Sequence, residues 1–166
     1  ELQAGIRLHR RIDTFTNQHE LIRSTCASFP ADLRRYAPIF LDILGDYYLS
    51  RTWCDYYAEA RSHFSRRCYD ACNAYVHHLD ETKAPHLHTF LQYMRDTDLL
   101  ANYHDWEHVE RGLQSVLRRL GQTSLYEAVN MAADAQRDSG EHAFRLYFTD
   151  LRDQLPTWAT VATTVS

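Results

Sequence analysis

Glycine and proline are scarce in this chain, whose 166 residues include 5 glycines and 4 prolines. A β-sandwich or barrel needs many turns, so this shortage disfavours such folds. No alternation of apolar and polar residues persists with the period of a strand, while apolar residues recur at helical spacing. We therefore predict an all-α fold: one helical domain of about seven helices over residues 1–155, followed by a frayed tail over 156–166.

Cysteine pairs and long apolar runs are also lacking. The four cysteines contain no CxxC pair, so a structural zinc site is not indicated. Small buried thiols in a reducing compartment explain them better. No run of apolar residues approaches the length of a membrane span, and no signal peptide is visible. These features predict a cytoplasmic protein without membrane insertion.

Lysine is nearly absent, since Lys83 is the single lysine among 18 basic residues. The net charge of −4 argues against a general nucleic-acid-binding protein. Arginine suits two-bond contacts with phosphate or carboxylate groups. A genomic codon bias toward arginine would produce the same ratio, so composition alone does not assign these arginines to a ligand.

The first helix carries two polar residues one turn apart. Leu2, Ile6, His9 and Asp13 share one helix face by their spacing. We expect the two apolar residues to turn that face toward the core. A partly buried Asp13 would then need a cation or hydrogen-bond donors, because an unpaired buried charge is costly.

A second helix repeats this design after Pro38, a residue tolerated in a first helical turn. Ile39, Asp42, Asp46 and Leu49 fall on one face, which again places two acids between apolar residues. If the two helices pack together, four ligands meet. Carboxylates with one imidazole suit Mn²⁺ or Mg²⁺, ions that neutralise phosphate oxygens and make water more acidic. The pattern predicts a metal-dependent phosphoester hydrolase, although each pair alone also fits a solvated helix face.

Other polar residues carry weaker signals. Tyr47 follows Asp46 and could hydrogen-bond a phosphate or a water molecule, but a phenol does not replace a basic ligand. His104 and His108 are spaced i, i+4 and could suggest a second metal site. Exposed helix polarity explains these two histidines more simply, and their role stays open.

The segments GIRLHRRIDTFT and RRYAPIFLDILGDYYLSRTW resemble the motif of the bacterial acyl carrier protein phosphodiesterases. The resemblance is dense from Ala4 to Trp53 and looser to about Leu155. It implies an all-helical fold related distantly to the HD-domain phosphohydrolases. It also implies that holo-acyl carrier protein is hydrolysed to apo-protein and 4′-phosphopantetheine, with Mn²⁺ preferred and Mg²⁺ usable. The family begins with a further segment, which we expect to supply another ligand.

The resemblance assigns roles to particular residues. His9, Asp42 and Asp46 are the best candidates for metal ligands, and Asp13 is either a ligand or the partner that orients His9. Asp42 and Asp46 are thereby also catalytic candidates. Three arginines could hold the phosphate oxygens, or could pair with neighbouring acids: Arg10, Arg11 and Arg51.

Acyl carrier proteins are acidic, so a docking surface on this chain should be rich in arginine. The candidates are Arg34 with Arg35, Arg61 with Arg66 and Arg67, and Arg118 with Arg119. Two alternatives remain: an HD-like phosphohydrolase acting on a nucleotide or small phosphodiester, and a non-catalytic helical interaction module. The resemblance alone separates the first from the phosphodiesterase. The number of metal ions and the oligomeric state stay open.

Overall fold

A computed structural model describes residues 2–76 and 85–164, so Lys83 lies outside the described residues. Within these two ranges the chain is helical and contains no strand, which confirms the all-α prediction. Ten α-helices are present there rather than about seven, because two four-residue helices and an extra break were not anticipated. The helices are α1 Leu2–Gln18, α2 Glu20–Ser28, α3 Ala37–Arg51, α4 Trp53–Tyr56, α5 Arg61–Val76, α6 Pro85–Asp96, α7 Leu99–Asn102, α8 Trp106–Arg119, α9 Tyr126–Gln136 and α10 Ser139–Thr164.

The chain forms two compact units. The first comprises residues 1–42 and 117–166. In it, α1 packs along α10, and α2 and α9 also contact α10. Its buried side chains include Phe29, Leu33 and Phe40, and the rings of Phe29 and Phe40 lie 6.2 Å apart. Burial of these large apolar groups stabilises this unit.

The second unit comprises residues 43–116. In it, α5 packs against α6 and α7. Tyr47 and Trp106 meet edge to face, with ring centroids 5.0 Å apart. A Cβ added at Gly112 of α8 would lie 3.4 Å from Cγ2 of Ile43 on α3, which is an ordinary van der Waals distance. The helix α8 therefore lies beside α3 at Ile43, three residues before Asp46.

The acids of α3 do not face the core, contrary to the prediction. The helix is buried on most sides through apolar residues such as Phe40, Leu44 and Tyr47. Asp42 and Asp46 occupy its exposed stripe together with Ile39. The apolar side chains take the buried positions because a carboxylate loses more solvation free energy than they do on burial. The spacing correctly predicted that Asp42 and Asp46 share one face of α3, but the prediction that this face is buried was wrong.

The polar face predicted for α1 is likewise exposed, and Ile6 remains 43% accessible to solvent. The partly buried face of α1 instead carries Leu8, Ile12 and Phe15. These three residues give their face more apolar surface than the predicted face has, and α10 packs along α1. His9 and Asp13 therefore point toward solvent rather than into the core.

The last helix runs past Pro156, where the sequence predicts its end. Proline removes one backbone donor from a helix and usually bends or stops it. Trp158, just beyond the proline, meets the ring of Phe15 on α1 at a centroid distance of 5.6 Å. This contact holds the continuing helix, so the tail predicted from residue 156 is helical to Thr164. No helix among the described residues is both long enough and apolar enough to span a membrane.

Candidate functional site

His9 and Asp13 lie one turn apart on α1, as predicted. The distance from His9 Nε2 to Asp13 Oδ2 is 3.5 Å, and the two side chains are 75% and 52% exposed. A pair this exposed contributes little to stability, because water screens it and both side chains lose rotamer freedom. Both residues are accessible to a ligand from solvent.

Asp42 has a perturbed carboxylate. Partial loss of hydration raises its pKa above the ordinary value of 3.8, the Asp13 carboxylate raises it further, and His9 lowers it. The charges of Asp13 and His9 thus act on Asp42 within the first unit, although the three side chains are not arranged to hold a metal ion.

Tyr147 of α10 belongs to the same neighbourhood, although the sequence analysis missed it. Its hydroxyl lies 2.6 Å from the Thr16 hydroxyl on α1. Burial raises the pKa of Tyr147, the hydrogen bond with Thr16 lowers it, and Asp42 and Asp13 raise it. The phenol is therefore held protonated beside two carboxylates. It lies far from them in sequence, and no local pattern marks it.

Asp46 lies in the second unit and has Tyr103 as a neighbour. The pKa of Tyr103 is raised by burial, then by the charge of Asp46, and then by Tyr93. Tyr103 sits in the turn after α7, which places its ring against this part of α3. A second tyrosine unnoticed in the sequence thus neighbours a predicted catalytic acid.

A cavity of about 100 Å³ lies directly beside Asp46. Most of its wall is apolar and comes from α3, α4, α5 and α7. The nine lining residues are Asp46, Leu49, Ser50, Trp53, Arg61, Phe64, Ser65, Leu100 and Tyr103. All nine belong to the second unit. No sequence pattern indicated this cavity.

Arg61 is the cation of the cavity wall. One of its terminal nitrogens, Nη1, donates to the backbone carbonyl of Ser50, and the other, Nη2, lies 2.9 Å from Nδ1 of His104. A guanidinium can only donate, so His104 Nδ1 accepts this bond. Burial lowers the pKa of Arg61. Its Nε is buried and has no hydrogen-bond partner among the described residues.

The three arginines proposed to hold phosphate are all exposed. Arg10 and Arg11 extend from the same turn of α1 that carries His9. Arg51 donates to the Tyr47 hydroxyl over 2.7 Å and stacks on its ring at 5.4 Å. Tyr47 is buried, and its hydroxyl and ring support the side chain of Arg51. The roles proposed for the three arginines in binding phosphate stay predictions.

His104 and His108 do not form the exposed helical pair that their spacing predicts. His104 lies in the turn before α8, while His108 lies in the first turn of α8. The His108 side chain is only 15% exposed, and its Nδ1 lies 3.9 Å from Asp105. The turn before Trp106 breaks the assumed helix, which removes the common face.

Three of the candidate docking arginines have local partners. Arg67 forms two hydrogen bonds with Glu59, of 3.0 and 2.6 Å. Arg34 donates from Nε to the backbone carbonyl of Phe29 over 2.9 Å. Arg61 is held in the cavity wall as described above. Four further members of the three groups are exposed: Arg35, Arg66, Arg118 and Arg119.

The side chains whose charges act on Asp42 are of the types that bind a divalent cation. Two repelling carboxylates beside an imidazole suit Mn²⁺ or Mg²⁺, and a cation would relieve the repulsion that raises the Asp42 pKa. Within residues 2–76 and 85–164, no group of three or more His, Cys, Asp and Glu side chains is arranged to hold a metal ion. The four-residue metal site, including Asp46, therefore stays a prediction.

Comparison with known families gives one extended match. The family model described as acyl carrier protein phosphodiesterase matches residues 1–151. Proteins named acyl carrier protein phosphodiesterase are similar to parts of the chain. The protein from Yersinia enterocolitica is 49% identical over 53 residues, which are 32% of this chain and 28% of the relative. The protein from Photorhabdus laumondii is 36% identical over 88 residues, which are 53% of this chain and 39% of the relative.

These matched segments span well under half the length of the curated relatives, 28% and 39% respectively. The protein from Escherichia coli strain HS follows the same pattern, with 43% identity over 53 residues, or 32% of this chain and 28% of the relative. No solved structure matches the chain. The relationship to HD-domain enzymes accordingly stays a prediction.

Proposed function

Because this chain belongs to the acyl carrier protein phosphodiesterase family, we propose that it hydrolyses the phosphodiester that joins 4′-phosphopantetheine to a serine of holo-acyl carrier protein. Water adds to phosphorus, the bond from phosphorus to the serine oxygen breaks, and the serine oxygen takes up a proton. The products are apo-acyl carrier protein and 4′-phosphopantetheine. The carrier protein would be the partner, and the cytoplasm the compartment.

The observation that supports this proposal is the charge arrangement around Asp42. Its pKa is raised by lost hydration and by Asp13, although the side chain is still exposed. Two carboxylates held in mutual repulsion are unfavourable for folding, and active sites are where such perturbed groups collect. An interaction module without catalysis would be more stable with neutral groups at these positions.

His9, Asp13, Asp42 and Asp46 would hold Mn²⁺, with Mg²⁺ as a substitute. Such an ion supplies charge neutralisation at phosphate oxygens and lowers the pKa of water. The protein's own contribution is to fix the donors: the α1 backbone presents His9 and Asp13 together, and α3 presents Asp42 and Asp46 one turn apart.

Arg10, Arg11 and Arg51 would bind the non-bridging phosphate oxygens. Arginine offers paired donors that match two oxygens at once. The side chain of Arg51 is held in place, since the Tyr47 hydroxyl accepts its hydrogen bond and the Tyr47 ring lies beneath it. This support restricts the guanidinium before substrate arrives, which reduces the entropy lost on binding.

The test is to incubate the protein with holo-acyl carrier protein and Mn²⁺ and to follow the carrier by mass spectrometry. Loss of the phosphopantetheine arm is the expected result. Asp46→Ala should abolish turnover, a fall in kcat of at least about 100-fold, while circular dichroism stays unchanged. Asp70→Ala, which removes an exposed acid of α5, is the matched control and should retain activity.

The same experiment distinguishes the alternatives. Cleavage of nucleotides or small phosphodiesters, with holo-acyl carrier protein left intact, would instead support the broader phosphohydrolase. A protein that cleaves none of these substrates and binds no Mn²⁺ would be an interaction module. Full activity of Asp46→Ala would refute the site even if the carrier is cleaved.

A further inference from the structure

The cavity beside Asp46 runs from the protein surface to a buried floor. Asp46 is exposed, whereas Trp53 and Ser65 are 7% and 1% exposed. The Ser65 hydroxyl is occupied, since it donates to Asp98 over 2.9 Å. The inner end of the cavity is therefore enclosed by mostly apolar side chains, and the Asp46 carboxylate lies at its open end.

The cavity is too small for a fatty acyl chain. An apolar cavity of about 150 Å³ can bind a benzene molecule, so a cavity of about 100 Å³ takes a smaller group. A compact, branched hydrocarbon group of a few carbon atoms fills such a space. Apolar walls of leucine, phenylalanine and tryptophan favour that group over a phosphate, which would also be repelled by Asp46.

We propose that this cavity binds the pantoyl end of the 4′-phosphopantetheine arm, with its carbon that bears two methyl groups buried between Trp53, Phe64 and Leu100. The proposal rests on the proposed function. In the arm, this dimethyl carbon is the only branched hydrocarbon, and one methylene group separates it from the phosphate ester oxygen. If Asp46 helps to hold the ion at the phosphate, the dimethyl carbon is the first apolar group within reach of the cavity.

Arg61 supplies a polar anchor for the same part of the arm. Its terminal nitrogens already donate to Ser50 and His104, which leaves the buried Nε as the donor without a partner among the described residues. A single buried donor matches one oxygen acceptor better than a phosphate, which favours two parallel bonds. The carbon next to the dimethyl carbon bears the pantoyl hydroxyl, and the following carbon is the first carbonyl, so either oxygen provides that acceptor.

The test compares two carriers in the presence of Mn²⁺. One bears the natural arm, and the other bears an arm whose dimethyl carbon is replaced by a methylene group, loaded from the corresponding coenzyme A analogue. The protein should cleave the natural carrier with a kcat/KM at least about tenfold higher, because a filled apolar pocket rejects the smaller group. Equal kcat/KM values for the two carriers would overturn the proposal.

Filling the cavity should abolish this discrimination. Leu100→Trp is expected to bring the two kcat/KM values to within about twofold, whereas Leu87→Trp, at an exposed position of α6, should preserve the wild-type ratio. Phe64→Ala, which opens the partly exposed wall, provides a second variant with the same expectation if Leu100→Trp does not fold. A folded Leu100→Trp or Phe64→Ala variant that keeps the full ratio would contradict the assignment.

Binding of the product separates failure of this proposal from failure of the proposed function. 4′-Phosphopantetheine should change the tryptophan emission of the protein on titration, because Trp53 lines the cavity, and Phe64→Ala should weaken this binding by about tenfold. If neither carrier is cleaved but this binding pattern holds, the hydrolase function fails and the pantoyl pocket stands. If the natural carrier is cleaved without discrimination and product binding is unaffected by Phe64→Ala, the hydrolase stands and the pocket is refuted.

Discussion

Replacing Asp42 with asparagine should make the protein more stable and less active. Asparagine keeps the shape of the side chain but removes its charge. In the wild type the carboxylate is partly dehydrated and lies in the field of Asp13, and both effects raise its pKa. The substitution relieves both costs in the folded protein. It also removes a proposed metal ligand, which is why activity should fall.

The size of the gain follows from the exposure of the groups. Asp42 and Asp13 are both exposed, so their repulsion is screened and resembles that of like charges on a helix surface, about 0.2–0.5 kcal/mol. The double variant Asp42→Asn with Asp13→Asn should therefore be less stable than the sum of the single effects by about this amount. Asp153→Asn, at an exposed position of α10, is the matched control and should change stability by less than the Asp42 substitution.

The pH dependence has a definite sign. The folded-state pKa of Asp42 lies above its ordinary value of 3.8. The folded protein therefore binds this proton more tightly than the unfolded chain, and stability falls as pH rises from 3.8 through the raised pKa. The asparagine variant lacks this loss. The free energy of unfolding of Asp42→Asn should equal that of the wild type at acid pH. The difference in favour of the variant should grow as the pH rises through that window and stay constant above the raised pKa.

The assay is urea unfolding of the wild type, Asp42→Asn and Asp153→Asn across this pH range, repeated with Mn²⁺. If Asp42 binds the ion, Mn²⁺ at about 100 times its Kd should stabilise the wild type by about 2.7 kcal/mol and the Asp42 variant by clearly less. Equal stabilisation of both proteins would remove Asp42 from the metal site. An Asp42→Asn variant less stable than wild type at neutral pH would refute the electrostatic reasoning itself.

Two further substitutions test the packing that positions the site. Gly112→Ala should gain more stability than Gly5→Ala, because its new methyl group makes a van der Waals contact with Ile43 at 3.4 Å whereas the methyl group at Gly5 meets nothing. Both variants gain up to about 1 kcal/mol from helix propensity, and urea unfolding measures the difference. A smaller gain for Gly112→Ala would contradict this reasoning. Tyr147→Phe removes the hydrogen bond with the Thr16 hydroxyl on α1 and should lower the free energy of unfolding by about 1 kcal/mol. Tyr75→Phe, at an exposed position, is the control and should change it by almost nothing. Thermal unfolding that ranks the two variants in the reverse order would contradict the hydrogen bond.

The helical class and the spacing of the acids were predictable from the sequence, because both depend on local periodicity. The environment of those acids was not. A stripe such as Ile39, Asp42 and Asp46 contains both apolar and charged residues, and periodicity alone does not say which of them decides the orientation. Almost all the other positions of α3 are apolar, so their side chains pack into the core and the acids stay exposed. The number of apolar residues outside the stripe predicts the orientation of α3 better than the apolar residues within it do.

The tyrosines of the site could not be predicted, because they depend on contacts between residues far apart in the chain. Tyr147 reaches Thr16 across 131 positions, and Tyr103 reaches Asp46 from the turn after α7. With 11 tyrosines in the chain, composition does not single out these two. The cavity depends similarly on four separate helices, so neither its volume nor the role of Arg61 has a local signature.

Asp46 connects the two proposals because it belongs both to the acid stripe of α3 and to the cavity wall. A phosphodiester bound at the acids has two substituents, the serine side and the pantetheine side. Under the two proposals, the apolar cavity would accept the branched hydrocarbon of the pantetheine side, whereas the serine belongs to a folded carrier protein that a cavity of about 100 Å³ excludes. The position of Asp46 would then set the direction of the substrate, with the arm entering the cavity and the carrier protein remaining outside it.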